Sequence, residues 1–170
     1  VIKYWEKFVN LEKENIIFSQ GSMGSLHSIC SLFLTENPKV IGFVPQFTEF
    51  VTNLLAMGYE YVGVPLKAEN NYRMVIEDLI SQIDESYSFV YLDNPNNPTG
   101  YYLELDDVRR LLEHAKSKKV FVIVDEAYGD FVENSRSSVN LLEEFDNLIS
   151  VRTMSKGFGL AGARLGYIIA

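Results

Sequence analysis

The chain has 170 residues, of which 47% are hydrophobic and 22% charged, and its formal net charge at pH 7 is −8. That length suits one domain with a sizeable core, and the acidic balance argues against a nucleic-acid partner, whose footprint on a protein is usually basic. Cys30 is the single cysteine, which excludes an intrachain disulfide and fits a reducing cytoplasm. Val1-Ile-Lys-Tyr-Trp-Glu-Lys7 has no apolar core or cleavage pattern of a secretion signal. Apolar runs such as 121–124 are strand-sized, far short of a membrane span. The expectation is a soluble, cytoplasmic protein with no membrane partner.

In chain order, an amphipathic opening with Tyr4, Trp5, Phe8 and Leu11 near helical spacing leads to a predicted strand at 16–19 and a helix at 24–34. A strand at 40–44 and a helix at 48–57 follow, then a strand at 59–65 and a helix at 74–84. Next come a strand at 88–92, a helix at 104–118, a strand at 120–124 and a helix at 139–145. Strands at 148–152 and 165–169 close the chain. Several strands are apolar at consecutive positions, as strands buried on both faces are. In the helix at 104–118, Leu105, Val108, Leu111, Leu112 and Ala115 form one stripe. Acidic residues open that helix and lysines close it, which complements its dipole. Such alternation predicts an α/β three-layer sandwich around a mostly parallel seven-stranded sheet. Its ligand crevice lies beyond the carboxyl ends of the strands.

The polar motifs fall where that crevice should be. Asp125-Glu-Ala-Tyr128 follows a buried strand, where a carboxylate is costly unless a cation or hydrogen-bond donors meet it. An ordinary helix N-cap is an equally good reading of that segment alone. Asn94-Pro-Asn-Asn-Pro-Thr-Gly100 is turn chemistry that can also aim a side-chain amide rigidly into a crevice. Thr153-Met-Ser-Lys-Gly-Phe-Gly159 carries Lys156, a surface lysine by default, or an imine-forming nucleophile if its ammonium is destabilised in a crevice. Gly21-Ser22-Met23-Gly24 joins a strand to a helix, where free N–H groups can bind an anion, though the same glycines could simply turn the chain.

Other patterns carry less. Gly157-Phe-Gly-Leu-Ala-Gly162 matches the dinucleotide fingerprint in letters only, because the chain ends before the acidic residue that should follow about 20 positions later. His27 and Cys30 lie one helical turn apart but have no third ligand for a metal site.

Together the three segments 94–100, 124–128 with Phe131, and 152–166 resemble the large domain of fold-type I pyridoxal-phosphate enzymes, the class I/II aminotransferases. Within these, the histidinol-phosphate aminotransferases are the most similar branch. The resemblance covers essentially the whole chain and implies one antiparallel strand in the sheet. It implies that Lys156 forms the Schiff base with the cofactor, and that Asp125 pairs with the pyridine nitrogen. Asn97 and Tyr128 would hydrogen-bond the ring oxygen, and Phe47 would stack on the ring face. Thr153, Ser155, Arg164 and the Gly21-Ser22-Met23 backbone would hold the phosphate, for which the planar arginine fork is well shaped. A cis Asn97–Pro98 bond is also implied.

Two departures bear on the branch: Phe47 lacks a hydroxyl found in many relatives, and 21–23 lacks acidic side chains common among the histidinol-phosphate enzymes. The resemblance also marks the chain as a fragment without an amino-terminal arm or a carboxyl-terminal small domain, from a protein expected to be a homodimer. The resemblance implies as substrates an amino acid or, as in the most similar branch, histidinol phosphate, together with a 2-oxo acid. A threonine-phosphate-type decarboxylase shares these motifs, and a non-catalytic cofactor-binding sensor is a third reading.

Overall fold

A computed structural model of the protein describes residues 1–33 and 38–170; the end of the helix expected at 24–34 lies outside the described residues. The strands are β1 (Ile16–Gln20), β2 (Lys39–Val44), β3 (Glu60–Pro65), β4 (Phe89–Asp93), β5 (Phe121–Asp125), β6 (Leu148–Thr153) and β7 (Leu165–Ile169). They form one seven-stranded sheet in the order β1-β7-β6-β5-β4-β2-β3. Neighbours are parallel except around β7, which runs antiparallel to both β1 and β6. The expected architecture, antiparallel strand included, is the observed one.

The helices are α1 (Ile2–Trp5), α2 (Gly21–Phe33), α3 (Thr48–Ala56), α4 (Ile76–Ile80) and α5 (Leu105–Ser117). Because successive strand residues point to opposite faces, β4 feeds two cores at once. Val90 and Leu92 pack with α4 and α5 through Leu79, Val108 and Leu111. Phe89 and Tyr91 pack with α2 and α3 through Leu26, Ile29, Phe50 and Leu54. The central strands β4, β5 and β6 are thus buried on both faces, which is why they read as continuous apolar runs, whereas the edge strands β1 and β3 stay largely exposed or half-buried. A third cluster seats Trp5, Val9 and Leu11 against Tyr167 and Ile169.

Three expected elements differ. Helix α2 begins at Gly21 rather than at 24, because the positive φ of Gly21, +71°, turns the chain from β1 directly into the helix. Helix α4 covers only part of 74–84: Val75 is extended, and beyond Ser81 the Asp84 carboxylate accepts the Ser86 N–H at 2.8 Å, a local bond that competes with the helical ladder. In place of a helix at 139–145 there is a 3₁₀ turn at Ser138–Leu141. There the Ser137 hydroxyl accepts the Val139 N–H, while Asn140 donates to the carbonyls of Asn134 and Ser137.

The order of connections places the crevice. From β2 the chain steps outward to β3, then returns to β4 on the other side of β2 and continues to β5 and β6. Loops on the two sides of this reversal diverge at the carboxyl ends of the strands and leave a gap.

Candidate active site

That gap holds a cavity of about 190 Å³. Ser22, Met23, Phe47, Asn97, Asp125, Tyr128, Thr153, Ser155, Lys156 and Arg164, all singled out in the sequence, line it. Gly21 lies directly behind it: a Cβ there would fall 2.7 Å from Arg164 Nη2, so the bare backbone is what lets the guanidinium lie against the start of α2. Loops after β2, β4, β5 and β6 and the amino terminus of α2 therefore converge on one site.

Asp125 is the last residue of β5 and is 3% exposed. Its two oxygens accept the Ala127 N–H and the Tyr91 hydroxyl, each at 3.0 Å. Burial pushes the carboxyl up to about 6 against the pull of those two bonds. Among the described residues, no lysine, arginine or histidine reaches ion-pair distance of it. A buried carboxylate with only neutral donors, facing a cavity, is suited to a cationic ligand group. The Lys156 amine faces the same cavity and lies 5.3 Å from the centre of the Tyr128 ring. Among the described residues it too has no carboxylate partner.

The far end is built for an anion. Helix α2 presents the free N–H groups of its first turn, with no acidic residue there, and the Arg164 guanidinium sits beside them. Arg164 itself has φ of +51° and donates from Nη1 only to the Ala161 carbonyl, at 3.2 Å, so the rest of its fork stays available. The Thr153 hydroxyl donates to the Leu165 carbonyl at 3.1 Å and accepts the Ser155 N–H at 3.2 Å. Thr153 therefore shapes the turn, and Ser155 is the better-placed hydroxyl for the anion. The Asn97–Pro98 bond is cis, as are Val44–Pro45 and Asn94–Pro95.

Sequence reasoning missed Tyr91, which holds Asp125 from below, and Asp93, which lines the cavity itself. It also missed Arg152, 1% exposed, whose Nη1 meets Glu126 Oε2 at 2.6 Å and whose Nη2 meets Asp130 Oδ1 at 2.8 Å. An arginine inside an apolar strand was the available signal, since such a charge demands buried partners. The readings set aside stay so. Segment 157–162 leads through a single 3₁₀ turn at Ala161–Ala163 back into antiparallel β7 rather than into an α-helix, and Cys30 is buried while His27 is exposed on α2.

Comparison with known proteins identifies the family. The family model for aminotransferase class I and II matches residues 1–170. The histidinol-phosphate aminotransferase of Staphylococcus haemolyticus is 37% identical over 164 residues, covering 95% of this chain and 46% of that protein. That of Bacillus subtilis is 33% identical, covering 96% of this chain and 45% of that protein. The solved histidinol-phosphate aminotransferase of Clostridium acetobutylicum superposes with a TM-score of 0.82 at 29% identity, over 92% of this chain and 45% of that one. The fold is also that of an aromatic aminotransferase from Pyrococcus horikoshii, with a TM-score of 0.86 at 24% identity over 99% of this chain and 47% of that one. The chain spans about half the length of the curated relatives it matches. With a matching model over its whole length, the chain belongs to the class I and II aminotransferase family.

Proposed function

We propose that this chain is the pyridoxal-phosphate-binding large domain of an aminotransferase that moves an amino group between an amino donor, an amino acid or an amino alcohol phosphate, and a 2-oxo acid, with histidinol phosphate the leading candidate donor. One observation carries the reading. A lysine amine, a buried carboxylate lacking a cation, and a helix amino terminus beside an arginine line one cavity. These groups match, in turn, an aldehyde, a pyridinium and a phosphate. The residues present thus fit the cofactor at each of its polar ends.

Bound there, pyridoxal phosphate supplies a carbonyl for amines and a ring that takes up the electrons of a broken Cα bond. Lys156 would hold the cofactor covalently and, once released, carry a proton to and from the substrate Cα. Asp125 would keep a proton on the ring nitrogen, and its desolvation strengthens that pairing. The Tyr128 hydroxyl and the Asn97 amide would orient the ring oxygen, while Phe47 covers a ring face and excludes water. Ser155, Arg164 and the N–H groups of Ser22 and Met23 would hold the phosphate, with Thr153 fixing Ser155. The relatives' names favour transamination over decarboxylation. Under this reading the longer protein works as a cytoplasmic homodimer, which the family membership supports.

The test is chemical. Purified protein mixed with pyridoxal phosphate should gain a visible absorbance band, and borohydride should fix the label on Lys156. Lys156→Ala retaining both band and turnover would sink the assignment. With an amino-acid donor, formation of a 2-oxo acid supports transamination, and carbon dioxide release supports a decarboxylase instead.

A further inference from the structure

Asp93 has no role in the reading above, yet its carboxylate touches two separate loops of the site. Oδ2 accepts the Phe47 N–H at 3.2 Å and the Asn97 N–H at 2.9 Å. Oδ1 accepts from the Asn96 amide at 2.9 Å, and that amide also donates to the Pro45 carbonyl at 3.2 Å. Asp93 is 4% exposed, ends β4, and stands in register with Asp125 at the end of β5.

Phe47 belongs to the loop between β2 and α3, and Asn97 to the loop between β4 and α5. Neither loop backbone is fixed there by the sheet ladder, so each side chain is placed only as well as its loop. We propose that Asp93 is a positioning residue for the ring of the bound cofactor: its carboxylate ties the Phe47 and Asn97 backbones together and to the strand ends that carry Asp125. The inference rests on the pyridoxal-phosphate reading. It adds a second carboxylate to that site, one that acts through its neighbours. Phe47, Asn97 and Asp125 then share one rigid frame, which is what a ring held on several sides requires.

The chemistry of the clamp calls for an ionised carboxylate. Three N–H donors point at it, and an amide in its place would turn an NH2 toward the Asn96 amide. Asn96 cannot flip to relieve that clash without loss, because its own oxygen accepts the Thr99 N–H at 3.2 Å. The titratable groups facing Asp93 are Tyr91 on its own strand, Asp125 on β5 and Tyr61 on β3, with Tyr128, Lys156 and Arg164 lining the same cavity. Burial, with a smaller push from the Asp125 charge, lifts the Asp93 carboxyl to about 7 against the three hydrogen bonds. A pyridinium against Asp125 removes that push, so cofactor binding and Asp93 ionisation favour each other.

The experiment measures pyridoxal-phosphate affinity by absorbance titration, for the unsubstituted protein and for Asp93→Asn, from about pH 6 to about pH 8. The ratio of the two affinities is read, since the cofactor's own ionisations cancel in it. At about pH 8 the variant should bind about tenfold more weakly, the effect of leaving a buried donor unsatisfied. The ratio should shrink toward one near pH 6, below the raised Asp93 value of about 7, where the carboxyl of the unsubstituted protein is itself mostly protonated and the clamp is already weakened. A ratio of one throughout, or a constant ratio across the range, overturns the inference. If Asp93→Asn does not fold by circular dichroism, carbon-13 NMR of the Asp93 carboxyl in the unsubstituted protein decides. Its titration should move to lower pH when cofactor binds, and a titration that does not move overturns the proposal. Failure of the unsubstituted protein to bind cofactor or to be labelled on Lys156 overturns the functional reading and this inference together. Normal labelling with an indifferent Asp93→Asn overturns this inference alone.

Discussion

Two buried acidic groups stand side by side at the strand ends and are treated in opposite ways. Glu126 and Asp130 share Arg152, and the guanidinium also lies 5.0 Å from the Trp5 ring centre. Ser137 and Ser138 hydroxyls and the Ser138 N–H saturate the remaining Glu126 oxygens at 2.6 to 2.8 Å. Asp125, one residue before Glu126, and Asp93, its register partner on β4, have only neutral donors among the described residues and open onto the cavity. The first cluster is closed and structural. The second is held at a cost in the free protein that a cationic ligand would relieve. Burial alone does not separate the two roles; the presence of a fixed counter-charge does.

The largest effect should come from opening the closed cluster. Arg152→Ala leaves Glu126 buried without its cation and should lower stability by about 3–5 kcal/mol, read as a shift of the denaturation midpoint. A loss under about 1 kcal/mol would mean that the serine donors alone suffice, and the contrast would collapse.

The open cluster should respond the other way. If Asp125 pairs with the ring nitrogen as proposed, Asp125→Asn should reduce turnover of the longer protein by on the order of 100-fold or more, because that charge partner is lost. In the cofactor-free protein the same change should raise stability at about pH 8. The sign follows from linkage. An Asp carboxyl in the unfolded chain titrates near about 3.9, whereas Asp125 is held up to about 6 and Asp93 to about 7 in the fold. Between about pH 4 and about pH 7 the folded form keeps protons that the unfolded chain has released, so stability falls as pH rises through that window. Thermal melts of cofactor-free protein from about pH 5 to about pH 8 should show this decline, with a smaller decline in Asp125→Asn. A steeper decline in the variant would reverse the assignment.

Gly157→Ala probes the seam between the clusters. Its Cβ would fall 2.3 Å from Asp130 Cβ, so the Lys156 turn and the Arg152 network cannot both keep their places. A stability loss of about 1–3 kcal/mol is expected, with weaker borohydride labelling of Lys156. The smallest effect belongs to the surface. Arg110 bridges Glu77 and Asp107 with about half of its side chain exposed, and Arg110→Ala should change stability by no more than about 1 kcal/mol in a chemical melt.

The sheet was legible because strands buried on both faces announce themselves as apolar runs, as at Phe121-Val-Ile-Val124. Most of the cavity lining was legible because its motifs follow strands: Asn97 comes after β4, Asp125 ends β5, and Ser155 and Lys156 come after β6. What escaped were residues whose roles depend on partners far along the chain. Asp93 looks like the polar end of a strand until Phe47, 46 positions away, is brought against it. Arg152 reads as one more strand residue until Glu126, 26 positions away, meets it. Helical spacing at 74–84 and 139–145 was equally blind to Asp84, Ser137 and Asn140, whose side chains draw the backbone into turns.

The antiparallel β7 leaves one further mark. Every other loop at this end of the sheet leads off into a helix or a long connection, but the span holding Lys156 and Arg164 is a return between adjacent strands. Met154 donates to Leu165 across its neck at 3.0 Å, and Leu160 donates back to Met154 at 3.0 Å. The residues proposed to grip opposite ends of the ligand thus ride on one short bracket. Hydrogen exchange across 154–165 should slow as a single block when pyridoxal phosphate is added, because a bracket loaded at both arms stiffens as a whole.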